Sequence, residues 1–543
     1  MPAIPDSLRA AARTLASTPI AALFARDPGR VGRLTFAWEG FRVDLAKERI
    51  TPEVLAELCA HADDAGLGRW IAAFLAGEKV NVSEARPALH PALRDASTAP
   101  LFVDGADLRR DIRVSRERVA AIADAIRRGE RRGATGKPIR HLVHLGIGGS
   151  DLGPRLVVDA LSSAAPPEGP RVSFVANVDP VALDRALAPL DPASTAFVVA
   201  SKSFSTQETL VNARAALAWL TAALPPGVDA RGHLIAATAR PNAAADFGVP
   251  ADAILPFHES VGGRFSLWSS VGVTIAAALG NRAHAELLAG ANAMDRHFAT
   301  APFEANLPVV LALAGLWNAS LLGYRQRIVV AYAEALALLP TYLQQLSLES
   351  NGKRVTRDGV PVEGRTAPAL WGGIGTDAQH AFFQWLHQGT DVVSVEFVVP
   401  AVPVEGDARR HALLVANALA QAQALSLGRT PDDVAADLAR SGVAFDASAV
   451  AARTCPGDRP STTILTPRLD ARTLGALLAL YEHRTFVEGV LWGINPFDQF
   501  GVELGKILAD PIAAALAGDG ELAPGTDAST RALVAHVIAT MRD

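Results

Sequence analysis

The chain has 543 residues, of which 50% are apolar and 20% are charged, and its formal net charge at neutral pH is −5. This length exceeds one ordinary hydrophobic core, so two or three domains are expected. The modest negative charge gives no electrostatic basis for binding nucleic acid or an anionic membrane surface, so neither is predicted as a partner.

Three local features bear on the compartment. Cys59 and Cys455 lie far apart and match no metal spacing, which predicts free thiols in a reducing environment. The N-terminal segment lacks the basic start and apolar core of a signal peptide, so a cytoplasmic location is expected. Residues 305–324 carry no charge, a length able to cross a bilayer, but they include Pro308 and several polar residues. We therefore predict a buried helix there.

The predicted elements change character along the chain. Residues 1 to about 100 are predicted to be mostly helical, with a short hairpin over Leu34–Asp44. An amphipathic helix at Ile112–Arg128 then introduces alternating strands and helices, which predict parallel sheets with helices on both faces, the α/β class. The predicted strands are residues 141–145, 172–176, 195–200, 234–237, 327–330 and 392–399.

The nine residues Ser201–Thr209 lie between the predicted strand Thr195–Ala200 and the helical pattern of residues 210–219. Ligands of α/β sheets usually bind at this edge, after the carboxyl end of a strand. Five of the nine residues carry hydroxyls and Lys202 adds an ammonium, a combination that suits a phosphate monoester beside a helix N-terminus. The alternative is a capping box, either Ser205 with Glu208 or Thr206 with Thr209, which needs only one hydroxyl.

A glycine-rich loop, Gly146–Pro154, follows the first strong strand. Its spacing, G-x-G-G-x-x-x-G, departs from the dinucleotide pattern, although Asp179 follows the next strand where a ribose partner would lie. Two other interpretations stay open: a close-approach turn that presents Ser150 to a smaller ligand, and a purely structural tight turn.

Arg264 and Glu349 are candidate catalytic residues. Arg264 follows two glycines and suits an oxyanion, unless it is an ordinary salt-bridged turn residue. Glu349 stands in a dense polar run, where it could act as a general base with Gln345 and Asn351 as orienting donors. Taken alone, a glutamate in such a run is more often structural.

His380 ends the glycine-rich stretch 371–380, predicted to be a turn, at the predicted start of a helix over residues 381–388. Its imidazole would be accessible there for proton transfer near neutral pH. His387 lies two turns further on, and no other segment supplies a cluster of ligands, so no metal site is predicted. Gln499 and Lys506 are seven residues apart and would share one face if the segment between them is helical. Lys506 is either functional or simply solvated.

Six motifs, from Gly77–Arg86 with Leu89 and His90 to Val502–Lys506, resemble in residues and order the phosphoglucose isomerase (glucose-6-phosphate isomerase) family of the long bacterial and eukaryotic type. The resemblance covers nearly the whole chain. It implies a cytoplasmic homodimer with shared active sites, a sugar phosphate substrate and no cofactor. It also implies two sugar-isomerase (SIS) domains with helical extensions: residues 1–105 as the N-terminal extension, 106–284 and 285–505 as the SIS domains, and 506–543 as the C-terminal tail.

The activity that the resemblance implies is the interconversion of glucose 6-phosphate and fructose 6-phosphate in glycolysis and gluconeogenesis. By match to the family motifs, Glu349 is the base that moves a proton between C2 and C1, and Arg264 holds the cis-enediolate. His380 and Lys506 open the sugar ring, and His380 reaches into the partner subunit's site. The implied substrate-binding residues are Gly149, Ser150, Ser201, Lys202, Ser203, Ser205, Thr206, Thr209, Gln345 and Gln499.

This sequence departs from the family pattern at two places. Ser203 and Ser205 stand where threonine is more common, which keeps each hydroxyl and removes a methyl group. Gly372–Gly375 replaces a stretch that usually contains Glu-Pro, and Asp377 with Ala378 stands where Asn-Gly is common. The Asp377 charge near His380 in the sequence bears on the pH optimum, whereas the expected reaction is unchanged.

The sequence leaves two other functional classes open. A regulatory SIS protein that senses phosphosugars would need the 201–209 loop but not Glu349, His380, Arg264 and Lys506 together. A dehydrogenase that uses NAD would be built on Gly146–Gly153. The presence of all four candidate catalytic residues favours an enzyme of the isomerase type.

Overall fold

The computed structural model of the chain describes residues 4–442 and 444–542. It divides into two compact units, Met1–Pro496 and Phe497–Asp543. The strands, numbered in chain order, are β1 Thr35–Trp38, β2 Phe41–Asp44, β3 Phe102–Val103, β4 Ala106–Asp107, β5 His141–Leu145, β6 Arg171–Val175, β7 Thr195–Ala200, β8 Leu234–Thr238, β9 Ile254–Pro256, β10 Gln326–Ala331, β11 Ala369–Ile374, β12 Ser394–Pro400 and β13 Ser461–Thr466.

Helices make up most of the remaining regular structure. The α-helices of the first unit are Asp6–Ala16, Ile20–Arg26, Arg30–Arg33, Pro52–Asp64, Leu67–Leu75, His90–Arg94, Leu108–Arg127, Gly149–Ala160, Pro180–Leu187, Gln207–Ala223, Pro241–Phe247, Val273–Leu279, Asn281–Thr300, Leu307–Leu316, Leu339–Gln344, Phe383–Gln388, Ala408–Leu427, Pro431–Arg440, Ala447–Arg453 and Ala471–Leu491. The second unit contains Glu503–Ala517 and Ala528–Arg542.

The first sheet is five-stranded and entirely parallel, in the order β6-β5-β7-β8-β9. Every residue of its central strand β7 is buried, as expected for a parallel strand covered on both faces. Because β5 and β7 are neighbours, the loops that follow them, at residues 146 and 201, leave the same edge of the sheet.

The second sheet has the order β1-β2-β13-β12-β10-β11. Strands β10 to β13 are parallel, whereas the hairpin β1–β2 adds antiparallel to the edge of β13, with Val43 opposite Ile464. The hairpin predicted at Leu34–Asp44 is therefore confirmed, and it completes a sheet formed otherwise by the second half of the chain. The predicted α/β class is confirmed as well, while the predicted domain boundaries at 105, 284 and 505 stay predictions.

The prediction that Trp371–His380 is a turn is wrong for its first part, because Trp371–Ile374 belongs to the edge strand β11. Gly372 lies so close to β10 that a Cβ on it would be 1.8 Å from the carbonyl oxygen of Val329. The glycines thus permit close pairing instead of breaking the strand. His380 ends a short 3₁₀ turn, and the following helix begins only at Phe383.

The uncharged segment at residues 305–324 contains a buried helix, as predicted, and residues 306–319 are all buried. All residues of the α-helix Leu307–Leu316 are buried, and a π-helical turn, Trp317–Leu321, follows it directly. Among the described residues, no helix combines the length and the apolar character needed to span a bilayer.

The helix Ala471–Leu491 is buried from Thr473 to its end although it carries several charged residues. Arg484 pairs with Glu396 at 2.6 Å, and Glu488 accepts from Arg327 at 2.6 Å. Burial of such charges is tolerated only when each has a close partner, as these do. The ion pairs fix this helix against β10 and β12, whose residues supply the partners.

We expect Gly372→Ala to destabilise the protein, because the new methyl group would overlap the backbone of β10. The free energy of unfolding should fall by roughly 1–3 kcal/mol, the usual range for overpacking. The measurement is urea denaturation followed by circular dichroism. Gly232→Ala is the matched control, since a Cβ at exposed Gly232 meets no atom within 4 Å. Equal midpoints for the two variants would contradict the prediction.

Candidate active site

The loop after β7 makes a tight turn before the helix Gln207–Ala223. Phe204 takes a left-handed backbone conformation, with φ 48°, and buries its ring against Phe247. The turn brings the hydroxyls of Ser201 and Thr206 to within 3.1 Å of each other, and those of Ser203 and Ser205 to 2.8 Å. Four of the predicted hydroxyls therefore pair across one short loop.

The capping-box alternative is not what the structure contains. Thr206 occupies the N-cap position of the helix but makes no side-chain cap hydrogen bond, because its hydroxyl pairs with Ser201. The hydroxyl of Thr209, buried in the first turn, has no hydrogen-bond partner among the described residues. An uncapped helix start beside several hydroxyl groups is the arrangement that an anionic ligand completes.

Lys202 is mostly withdrawn from solvent, and burial lowers its pKa from the ordinary lysine value. Its carbonyl oxygen accepts hydrogen bonds from the Ala239 amide at 3.0 Å and the Thr238 hydroxyl at 3.2 Å, which fixes the backbone here. Charges of both signs surround the ammonium, with Glu84 and Glu259 opposed by nearby arginines. A bound phosphate would restore the favourable environment that burial removes from the ammonium.

The glycine-rich loop after β5 is a close-approach turn. Gly148 has φ 59°, and a Cβ on it would lie 2.9 Å from the amide nitrogen of Gln345. A Cβ on Gly149 would lie 2.0 Å from the carbonyl oxygen of Gly263. The space beside this helix start is thus filled by protein backbone. The loop packs between Gln345 and the segment that carries Arg264. This close approach of backbone favours the close-approach interpretation over a dinucleotide site.

Arg264 lies in the 3₁₀ segment Gly263–Trp268 and is almost fully buried. Its Nε donates to the Ser350 hydroxyl at 2.6 Å, and one terminal nitrogen donates to the Pro496 carbonyl at 2.7 Å. The other terminal nitrogen lies 3.4 Å from a carboxylate oxygen of Glu349. The guanidinium is therefore locked in place, with one edge presented to Glu349.

Glu349 is the last residue of a π-helical turn, Gln345–Glu349. Its side chain is 20% exposed, whereas the Arg264 side chain is 1% exposed. A carboxylate that is reachable from solvent beside a fixed cation can take a proton from a substrate whose developing oxyanion the cation stabilises. Arg264 is thus a buried residue that lies beside the predicted base, and not an ordinary turn arginine.

Two neighbours of Glu349 differ from expectation. Asn351 was predicted to orient the base, but it is fully buried and donates instead to the Thr485 carbonyl at 3.0 Å. That prediction is wrong, because the Asn351 side chain points towards the helix Ala471–Leu491 and away from Glu349. Ser350 was not singled out from the sequence, yet it holds Arg264. Its position next to Glu349 was the available signal.

His380 is exposed, and within the described residues no hydrogen bond or ion pair joins it to Glu349 or Arg264. The loop that carries it is nevertheless fixed. Gln379 accepts from the Tyr332 hydroxyl and donates to Asn417, both at 3.2 Å. Its imidazole is therefore presented to solvent by a supported backbone.

Gln499 and Lys506 belong to the second unit. They do not share a helical face, because a 3₁₀ turn, Phe500–Val502, separates Gln499 from the helix Glu503–Ala517. The condition for a shared face, one continuous helix, is therefore not met, and the functional roles of both residues stay predictions. Lys506 is exposed in the first turns of its helix. Across residues 4–442 and 444–542, no group of three or more His, Cys, Asp or Glu side chains is placed to hold a metal ion.

Two largely parallel sheets, a hydroxyl-rich loop after a strand of the first sheet, and a buried arginine beside a partly exposed glutamate define an α/β protein whose candidate site suits a small anionic ligand. The sequence model described as phosphoglucose isomerase matches residues 44–534. The chain belongs to the phosphoglucose isomerase family.

Individual relatives are similar over nearly their whole length. The glucose-6-phosphate isomerase of Aromatoleum aromaticum is 48% identical over 533 residues, covering 98% of this chain and 95% of that protein. That of Brucella ovis is 46% identical over 523 residues, covering 95% and 94%. The crystal structure of a glucose-6-phosphate isomerase from Chlamydia trachomatis matches with a TM-score of 0.84 at 31% identity, covering 98% of each chain.

If the 201–209 loop binds phosphate, Thr206→Val should weaken binding of phosphorylated sugars by roughly 1–3 kcal/mol, because a charged oxygen would lose a hydrogen-bond donor. Thr206→Ser, which keeps the hydroxyl, is the control and should bind within a few-fold of wild type. Calorimetric titration with fructose 6-phosphate measures both. Inorganic phosphate should compete with the sugar at tens of millimolar, roughly the regime of weak anion sites. Equal affinities for the two variants would argue against the assignment.

Proposed function

We infer that the protein is an aldose–ketose isomerase that interconverts glucose 6-phosphate and fructose 6-phosphate. Membership of the phosphoglucose isomerase family and the named relatives support this activity. The observation that carries it within the structure is the fixed guanidinium of Arg264, 3.4 Å from the carboxylate of Glu349. The sugar phosphate is the substrate, in glycolysis and gluconeogenesis.

The reaction moves a carbonyl group between C1 and C2, which requires one base that removes and returns a proton on one face of the sugar. We assign this role to Glu349, because its carboxylate is partly exposed beside a permanent cation. Removal of the proton leaves a cis-enediolate whose negative charge lies on oxygen. Arg264 stabilises that oxygen without exchanging a proton, since guanidinium stays charged throughout the relevant pH range.

The phosphate of the substrate is proposed to bind the 201–209 loop and the turn at Gly149 and Ser150. Its binding energy would orient C1 and C2 against Glu349, because an anchored distant group restricts the reacting end. Gln345 supports this arrangement, since its side-chain amide lies where a Cβ on Gly148 would be 2.9 Å from it. The loop and the catalytic turn would thus bind the two ends of one small molecule.

Ring opening is assigned to His380 and Lys506, with Gln499 lining the pocket. The support for His380 is its exposed imidazole on a fixed loop, free to serve a site other than one in its own chain. A histidine can pass a proton to and from a ring oxygen near neutral pH. Lys506, exposed on its helix, would supply an ammonium at the same oxygen.

We propose that the protein is a cytoplasmic homodimer with shared active sites. The second unit supports association, since its two helices expose large apolar side chains. Leu504 and Ile507 are 64% and 65% exposed, and Met541 is 72% exposed. Such a concentration of exposed apolar residues usually marks an interface between proteins. A second copy would cover it and bring His380 to the other subunit's Glu349.

The base assignment predicts that Glu349→Gln reduces turnover by about 10³-fold or more, because the amide keeps the shape but cannot accept the proton. Substrate binding should survive in a calorimetric titration. Glu334→Gln, which removes an exposed carboxylate elsewhere, should retain full turnover. Product formation from fructose 6-phosphate, followed by NMR, is the assay. A Glu349→Gln enzyme with a tenth of normal turnover would refute the role.

Shared active sites predict complementation between two inactive chains. Glu349→Gln and His380→Ala chains, denatured together and refolded, should recover about a quarter of wild-type activity. Random pairing makes about half of the dimers mixed, and one of the two sites in each mixed dimer is intact. Each parent, refolded alone, is the control. Recovery no greater than the sum of the parents, with mixed dimers confirmed by mass spectrometry, would show that His380 serves its own chain or is not catalytic.

A further inference from the structure

His144, the fourth residue of β5, is a fully buried histidine close to the glycine-rich turn. Its Nε2 lies 2.7 Å from the carbonyl oxygen of Ser150, and its Nδ1 lies 2.8 Å from the hydroxyl of Thr274. Burial lowers the pKa of the imidazole to about 4, so near neutral pH the ring is uncharged and carries a single N–H. Because a carbonyl oxygen can only accept, this N–H is on Nε2, and the Thr274 hydroxyl donates to Nδ1.

The Ser150 carbonyl depends on this donor because of a proline. In an α-helix, the carbonyl of residue 150 would accept from the backbone N–H of residue 154. Residue 154 of the helix Gly149–Ala160 is Pro154, which has no N–H. An unpaired carbonyl between a strand and a helix would be unfavourable. His144 therefore supplies from β5 the hydrogen bond that the helix itself cannot make.

The same bond fixes the turn that is proposed to bind the substrate phosphate. Ser150 is partly exposed in the first turn of its helix. The preceding carbonyl, that of Gly149, accepts from the Ser266 hydroxyl at 3.3 Å. Two successive carbonyls of the turn are thus held, one from β5 and one from the segment that carries Arg264. Holding the Ser150 carbonyl also restricts the position of its Cβ, and hence of its hydroxyl.

A second buried histidine lies at the opposite end of the same sheet. His233 directly precedes β8 and is also fully buried. Its Nδ1 lies 2.6 Å from the carbonyl oxygen of Thr195, and its Nε2 accepts from the Ala134 amide at 2.8 Å. Since Thr195 begins β7, this histidine lies at the amino edge of the sheet, away from the loops that follow β5 and β7. If His144 served only to stabilise the fold, replacing either ring would have the same kind of effect.

We propose that His144 is a positioning residue for the substrate phosphate. It holds the Ser150 carbonyl that Pro154 leaves without a helical partner, and it thereby keeps the turn at Gly149 and Ser150 in the shape that receives the phosphate. His144 itself acts from behind the turn and makes no contact with the substrate. This role rests on the proposed function, because it requires the phosphate of the sugar to bind at this turn.

Calorimetric titration with fructose 6-phosphate measures the effect on binding without requiring turnover. His144→Phe keeps a buried ring but removes both nitrogens, and it should weaken binding at least about fivefold, because the turn loses the hydrogen bond that holds it. His144→Gln should bind within about threefold of wild type, since its amide can donate to the same carbonyl. His233→Phe is the matched control and should bind as wild type does. Equal affinity in the two phenylalanine variants, or equal weakening in His144→Gln and His144→Phe, would overturn the proposal.

Kinetics and unfolding separate positioning from a general loss of structure. KM should rise in His144→Phe by the factor found for binding, whereas kcat should fall by less than about threefold, since Glu349 and Arg264 keep their own contacts. The midpoints of urea unfolding should fall in both phenylalanine variants. A His144→Phe chain whose kcat falls as much as its affinity, or which does not fold although His233→Phe does, would make His144 a general structural requirement and overturn its positioning role.

Pro154→Ala tests the link through the carbonyl, because it restores a backbone N–H at residue 154. In that background the Ser150 carbonyl has a helical partner, so His144→Phe should weaken binding by less than about twofold. The same weakening in both backgrounds would show that His144 acts on another group and would overturn the proposal. A wild-type protein without isomerase activity would instead refute the proposed function, and the calorimetric comparison would still decide the role of His144.

Discussion

The buried guanidinium of Arg264 is the interaction on which the site depends. A buried cation is stable only if each of its donors has a partner, and here those partners come from distant parts of the chain. Glu349 ends the π-helical turn and Ser350 follows it directly, while Pro496 is the last residue of the first unit. The 3₁₀ segment that carries Arg264 packs against Gly149, the first residue of the helix that follows β5. The Arg264 side chain thus connects loops from the first and the second half of the chain. A shift of one of these loops would move the others.

The close packing around this arginine also constrains which residues are possible nearby. Gly149 admits the backbone of Gly263 only because it has no Cβ. On the other side, the ring of Phe265 lies 5.3 Å from the guanidinium and stacks on the imidazole of His90 at 4.4 Å. Burial lowers the pKa of His90 well below the ordinary histidine value, so the ring stays neutral beside the cation. The Leu89-His90 part of the N-terminal motif therefore packs, through Phe265, on the side of Arg264 away from Glu349.

Much of this could be predicted from the sequence because it depends on local pattern. Apolar runs located β5 and β7 at their observed bounds, and the hydroxyl-rich loop was placed correctly between strand and helix. The failures have one physical source, namely contacts between segments far apart in sequence. Gly372 was predicted to be a turn residue, because the sequence does not show that the backbone of β10 leaves no room for a Cβ at this position. Asn351 was misassigned because the direction of a side chain after a π-helical turn depends on the helix packed against it.

The hairpin β1–β2 has a consequence for how the protein is made. Asp44 pairs with Thr463, so the partner strand is synthesised about 420 residues later. At roughly 5–20 residues per second, this leaves β2 without its neighbour for about 20–80 s on the ribosome. During that time an unpaired edge strand is exposed to other nascent chains. The second sheet is complete only near the end of translation, so its assembly is a late, long-range event even though its first two strands are among the first to emerge.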